Sequence, residues 1–390
     1  MIVPDCLTTK GVGRGVPVGW QVISAGGVGD RRLAFPRVRS FSCAVCGRLL
    51  VFENSVCMNC HTPSGYDPVT RQLVPVPRDG SLVRCPNAGI AACNWLVETG
   101  RGPGALCDSC RLTRTRPADG DAEGLAAFAR TEAAKRRLHY QLVDLGVPVV
   151  PLAVDPQRGL AFDLLSSART PVTTGHADGV VTIDLAEGHD AHREARRVEL
   201  SEPYRTLLGH VRHEVGHYYW VVIVEGNGLV PAGGPVLDAF RELFGDERAD
   251  YAEALQRHYA AGPRAGWNDT HVSAYATAHP WEDWAETFAH YLHIRDTLQT
   301  AGAYGMIVTG PDAPVSDAGD LVAVPNEYDL SAPRPFQQVM DTWLPLTYAL
   351  NAVNRSMGSD DLYPFVISPA VVRKLAFVHD VIGAASRQPA

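Results

Sequence analysis

No stretch of this 390-residue chain approaches the roughly 20 apolar residues of a membrane helix. The longest apolar runs, residues 147–154 and 220–224, fall far short. The start lacks the charged-then-apolar pattern of a secretion signal, and there is no long low-complexity tract. A membrane protein, an exported precursor and a disordered chain are therefore not expected. Hydrophobic residues make up 46% and charged residues 20%, an ordinary globular balance with room for two or three domains. The net charge of -8, from 35 basic and 43 acidic residues, argues against a chain built as a whole to bind nucleic acid. Cysteine is missing from everything after position 110.

Up to and including that position there are nine cysteines, eight of them from Cys43 to Cys110. A disulfide scaffold belongs to a short secreted chain. Here reduced, metal-bound thiolates in a cytoplasm are expected instead. Cys43-Ala-Val-Cys46 and Cys57-Met-Asn-Cys60 are CxxC loops that can set four thiolates tetrahedrally around zinc. Cys85, Cys93, Cys107 and Cys110 form a second set of four. Four thiolates leave no open position, so both sites are expected to be structural. Pairing in chain order is the simplest arrangement; a cross-braced one stays open. Gly47 and Gly65 stand where tight turns are expected, and His61 is read as a neighbour of the ligands or a surface residue. The only lengthy apolar stretch of this segment is 49–52, so metal must supply what burial cannot.

Residues 36–116 carry ten Arg, no Lys and five acidic residues, a formal +5, which two Zn(Cys)4 centres of -2 each reduce to +1. Arg111, Arg114 and Arg116 could touch phosphates. A solvated face, or a contact to the acidic second domain, is the favoured reading.

Three segments are expected. Residues 1–35 read as a flexible tail with a spare thiol at Cys6; Gly11-Val-Gly-Arg-Gly15 has neither the spacing nor the preceding strand of a phosphate loop. Residues 36–116 form the cysteine domain, and Pro117-Ala-Asp-Gly120 breaks the chain before a second domain at 121–385. There a helix is expected over 121–145, with Leu125, Phe128, Leu138, Leu142 and Leu145 near one face, capped by Gly146 and stopped by Pro148. Strands are expected at 147–154, 161–165 and 180–185, the last entered through the turn signal His176-Ala-Asp-Gly179, which suggests a hairpin. A helix then runs to about residue 224, with Ser201 as cap and Pro203 in its first turn. Further helices are expected at 236–244, 247–260, 282–300, 336–355 and 369–382. The fold class is α+β: two zinc sites in front, then a small sheet and mostly helices.

His213-Glu-Val-Gly-His217 is an HExxH motif. Positions i and i+4 share a helix face, so both imidazoles can bind one metal, while Glu214 can act as base on a water beside it. The surrounding helix is apolar, hence buried, and buried histidines need a partner. An edge strand from the hairpin before it would suit an extended peptide. No third histidine comes shortly after the motif, since His217 is followed by Tyr-Tyr-Trp-Val-Val, and a glutamate from a second helix is the other way to complete the ligand set. The best candidate segment runs from His279 through Pro280, which opens a helix, to Tyr291. Glu282 and Glu286 lie at i and i+4 on an aromatic-rich face, where two carboxylates call for a cation. Glu282 is read as the ligand and Glu286 as the partner of a ligating histidine, with the swapped assignment open. Glu247 and Asp250 are the remaining candidates, although they look more like helix-start charge. His271, His279, His290 and His293 are read as structural or exposed. Tyr275 could donate to a developing oxyanion or be a core tyrosine.

The residues 41–54, Cys93-Asn-Trp-Leu96, Leu106-Cys-Asp-Ser-Cys-Arg111 and Arg212-His-Glu-Val-Gly-His-Tyr-Tyr-Trp220 together resemble a bacterial family. That family joins an N-terminal zinc ribbon to a zinc-binding metallopeptidase domain, and the resemblance covers about 40–385. It implies a zincin-like peptidase fold and zinc as cofactor: one catalytic ion and two structural ones. Separately, Tyr275 with Glu282 and Glu286 is similar to the arrangement in anthrax-lethal-factor-type gluzincin peptidases, which implies zinc binding by Glu282 and oxyanion assistance by Tyr275. The expected function is a cytoplasmic zinc peptidase: His213, His217 and Glu282 on the metal, Glu214 as base, and a peptide or protein as substrate. Neither a membrane nor a nucleic-acid partner is expected. A non-catalytic, zinc-stabilised interaction protein and a hydrolase of some other amide are the alternatives.

Overall fold

The computed structural model describes residues 40–168, 170–189, 206–227, 229, 234–308, 322–323 and 335–387. The expected tail with Cys6, the Gly11–Gly15 loop, Ser201 and Pro203 lie outside the described residues.

The cysteine segment is built from three short antiparallel pairs: β1 (Phe41–Ser42) with β2 (Leu49–Leu50), β3 (Ser64–Asp67) with β4 (Gln72–Pro75), and β5 (Leu82–Arg84) with β6 (Leu96–Glu98). Gly47 has φ +71°, as a tight turn between ligands requires. Gly65 plays a different part from the expected turn. It lies inside β3, where a Cβ would come within 2.5 Å of the Leu96 side chain, so its role is close approach. Phe41, Tyr66 and Trp95 are buried among the cysteines.

The segment's last strand, β7 (Thr113–Thr115), joins the sheet of the second half. It pairs parallel with β8 (Ala161–Leu165), which pairs parallel with β10 (Val180–Asp184). β9 (Gly175–Ala177) pairs antiparallel with β10 and forms the edge, giving the order β7-β8-β10-β9. Asp178 and Gly179 both have positive φ, as a two-residue hairpin turn needs. The strand expected at 147–154 does not form; Pro151 makes a single isolated bridge to Leu160. Pro148 and Pro151 have no N–H to give a ladder, which explains the loss.

Seven α-helices are present among the described residues. α1 (Ala122–Asp144) is capped by Asp121, whose side chain accepts from the Gly124 N–H, and Gly146 follows it at φ +71°. α2 (Leu207–Tyr219) starts at Thr206, whose hydroxyl accepts from the Gly209 N–H, and continues as a wider π-helical turn, Trp220–Glu225, before Gly226. α3 (Pro235–Phe244) follows. α4 (Tyr251–Ala261) begins later than the expected 247, because Asp250 is its cap. α5 (Pro280–Ala303) opens on Pro280, with His279 as cap. A two-residue strand pair, β11 (Ile307–Val308) and β12 (Val322–Ala323), precedes α6 (Phe336–Ser356) and α7 (Pro369–Ser386). No helix among the described residues is long and apolar enough to cross a membrane.

α1 is the shared element. Its Tyr140 packs edge-on against Phe52 and Tyr66 of the cysteine segment, at ring distances of 5.2 and 5.6 Å. Arg71 pairs with Asp144 at 3.0 Å and Arg137 with Glu53 at 2.6 Å. On its other side Gln141 donates to the Leu292 carbonyl of α5 and accepts from Arg212 of α2. Of the three arginines that could have faced phosphates, Arg114 grips Asp163 of β8, while Arg116 pairs with Asp119 and Arg111 approaches Asp108.

Candidate metal centre

α2 and α5 cross in the core, and Trp284 marks the crossing: its indole N–H donates to the Gly216 carbonyl at 2.8 Å. Val211, Val215, Tyr218 and Tyr219 bury one side of α2. That burial turns His213 and His217 toward α5, with ring centroids 5.0 Å apart. Glu282, one turn into α5, meets them. Its Oε2 lies 3.0 Å from His213 Nε2 and its Oε1 3.6 Å from His217 Nε2. One ligand atom from each of the three residues lies within 4.8 Å of the others.

Glu286 stands one turn further along. Its Oε1 is 2.7 Å from His213 Nδ1, and its Oε2 accepts from the Ser273 hydroxyl at 2.6 Å. Burial would raise the Glu286 pKa, but the hydrogen bond and charge of His213 outweigh it and hold the group at about 2. Burial opposes ionisation of Glu282 too, and the two imidazoles again prevail, keeping it well below the usual range.

This donor set fits zinc. With its Nδ1 proton committed to Glu286, the neutral His213 ring that a metal ligand requires presents its lone pair at Nε2. Glu282 Oε2 faces that nitrogen yet makes no hydrogen bond and is buried. A proton or a metal ion must lie between these two atoms, and two imidazoles with a carboxylate are a donor set that suits zinc. The thiols fit in the same way. Cys43, Cys46, Cys57 and Cys60 converge in one group, and Cys85, Cys93, Cys107 and Cys110 in another, which is the chain-order pairing. Sulfur separations of 3.6 Å for Cys43–Cys60 and Cys46–Cys57, and 3.7 Å for Cys93–Cys107, match the ~3.8 Å edge of a ZnS4 tetrahedron. His61 is exposed and belongs to neither group.

Glu214 is buried beside the His213, His217 and Glu282 cluster without being part of it. Its Oε1 lies 3.2 Å from His210 Nε2, and its Oε2 has no hydrogen-bond partner. Burial would raise its pKa; His210, His213 and His217 together lower it. Tyr275 sits in a short turn, with its ring 5.9 Å from that of His213, and burial pushes its hydroxyl pKa up. The remaining ligand candidates are engaged elsewhere: Glu247 pairs with Arg241, and Asp250 caps α4. His271 approaches Asp283, His279 contacts the Ala249 carbonyl, His290 meets Tyr363, and His293 packs on Trp343.

Sequence reasoning missed three neighbours of the site. Tyr251 donates to Glu282 Oε1 at 2.6 Å, a contact reached only by tertiary folding. Ser273 holds Glu286 in the same way. His210 lies four residues before Glu214, so helical spacing could have found it.

Comparison with known proteins agrees with this geometry. Residues 124–381 match the family model described as "Putative zinc-binding metallo-peptidase", and residues 40–121 match a zinc-ribbon domain. An uncharacterized protein of Mycobacterium bovis is 51% identical over 345 residues, covering 88% of this chain and 95% of its own length. Uncharacterized proteins from two strains of Mycobacterium tuberculosis match to the same extent. No solved structure gives a significant match.

Proposed function

This chain belongs to the family described as "Putative zinc-binding metallo-peptidase", and from that premise we propose that it is a gluzincin-type peptidase, with a catalytic zinc on His213, His217 and Glu282. The observation that carries the reading is the convergence of these three side chains from two crossed helices, with Glu286 behind His213. Zinc held there would acidify a water molecule and polarise the scissile carbonyl.

The chain's own groups do the rest. Glu214 takes a proton from the attacking water and passes it to the departing amine. Tyr275, kept protonated by burial, donates a hydrogen bond to the developing oxyanion. Edge strand β9 offers backbone N–H and C=O groups to an extended peptide or protein substrate. Each set of four cysteines holds one structural zinc, giving three ions per chain. Eight cysteines, none of them in a disulfide among the described residues, suit a reducing compartment such as the cytoplasm. A scaffold without chemistry would have no use for a buried carboxylate with one oxygen unpartnered.

The test is Glu214→Gln in the zinc-loaded protein, assayed on a fluorogenic peptide library. Zinc content should stay at the wild-type level while cleavage falls by about 100- to 10,000-fold. Cleavage at the wild-type rate would refute the assignment of the base.

A further inference from the structure

α2 carries two i,i+4 pairs rather than one. His213 and His217 form the metal pair, and His210 and Glu214 form a second on the adjoining face. His210 Nε2 lies 3.2 Å from Glu214 Oε1. On the other side of the ring, Nδ1 lies 3.8 Å from Oε2 of Glu187, a buried carboxylate in the short turn Leu185–Gly188. That turn is fixed at both ends. The Asp184 side chain accepts from the Ala186 N–H, and Arg130 of α1 donates to the Gly188 carbonyl at 2.6 Å.

From this geometry we propose that His210, backed by Glu187, is a positioning residue: it holds one oxygen of Glu214 so that the other is presented to the attacking water. The proposal rests on the peptidase reading and deepens it. A carboxylate can turn about its last bond. A hydrogen bond to Oε1 removes that freedom and leaves Oε2 as the base. Oε2 is the oxygen that is buried and without a partner among the described residues. The same logic orients the base in other catalytic constellations, where a third group fixes the second. His210 donates from Nε2 whenever that nitrogen carries a proton, in the neutral ring or the charged one. Burial works against the charged form, but the two carboxylates raise its pKa to about 9.

The experiment has a kinetic arm and a structural arm, both on the full-length zinc-loaded protein. His210→Ala should lower kcat by about 10- to 100-fold, leave KM within about twofold, and keep the zinc content unchanged. His210→Gln, which retains a side-chain N–H donor, should recover part of the loss. The double variant His210→Ala/Glu214→Gln should be no slower than Glu214→Gln alone, because His210 acts through that side chain. Multiplying losses, or a raised KM with unchanged kcat, would overturn the proposal.

The structural arm needs no turnover. In spectra of protein with 15N-labelled histidine, the Nε2-bound proton of His210 should appear in slow exchange and be lost in Glu214→Ala. Its absence in wild type would overturn the positioning role even if the protein is active. Its presence in a protein that cleaves no peptide would leave the contact standing and remove the peptidase reading.

Discussion

Gly216 faces Ala285 where α2 crosses α5, so closely that a Cβ on Gly216 would lie 3.1 Å from the Ala285 Cα. The glycine inside the HExxH motif is what lets the ligand helices approach. Alanine there would add up to ~1 kcal/mol of helix propensity. It would also force apart two backbones clamped by Trp284, and overpacking of this kind costs about 1–3 kcal/mol. The clash should win. Gly216→Ala is expected to lose on the order of 1 kcal/mol in denaturant unfolding and to weaken metal binding by the His213, His217 and Glu282 cluster. An unchanged midpoint and full zinc content would count against this account of the crossing.

Glu286 is the second group whose role can be isolated. It touches His213 and Ser273 and is not part of the three-ligand cluster. Glu286→Ala should weaken binding of one zinc by about 10- to 100-fold and leave the other two ions untouched. Competition with a chromophoric chelator reads this directly. Loss of no zinc, or of all three, would assign Glu286 a different task.

Acid sensitivity should come in part from His290. Its Nδ1 is hydrogen-bonded to the Tyr363 hydroxyl at 2.7 Å, and burial holds its pKa down at about 4, against 6.5 for an ordinary histidine. Above pH 6.5 both folded and unfolded chains are neutral there, and the group contributes nothing to the pH dependence. Between 6.5 and 4 the unfolded chain binds a proton that the folded one refuses, so stability falls as pH falls. The loss is complete below about pH 4 and is on the order of 3 kcal/mol. His290→Gln should cost stability at pH 7.5 and flatten this part of the curve. Parallel curves for variant and wild type would show that another group titrates.

Much of the site was legible because local periodicity carried it. His213 and His217 share a helix face through their spacing, as do Glu282 and Glu286, and Pro280 announced the start of α5. The eight thiols were legible as two ligand sets, although only the folded chain chose chain-order grouping over cross-bracing. Contacts made by unrelated segments were not legible. Glu187 reaches His210 from a short turn beyond β10, and Tyr251 reaches Glu282 from the start of α4. No spacing rule links such pairs. The strand expected at 147–154 fails for a reason the sequence does contain: its two prolines lack ladder donors, which hydrophobicity alone does not reveal. The role of Gly65 is not legible in the sequence, because glycine serves both turns and close approaches, and only the position of Leu96 separates the two.

The most direct test of the central claim is anomalous diffraction at the zinc edge from crystals of the zinc-loaded protein. Three peaks per chain are expected, with one bounded by His213 Nε2, His217 Nε2 and the Glu282 carboxylate and open on its fourth side. Two peaks confined to the cysteine groups, or a third whose fourth position is filled by a side chain, would contradict the account.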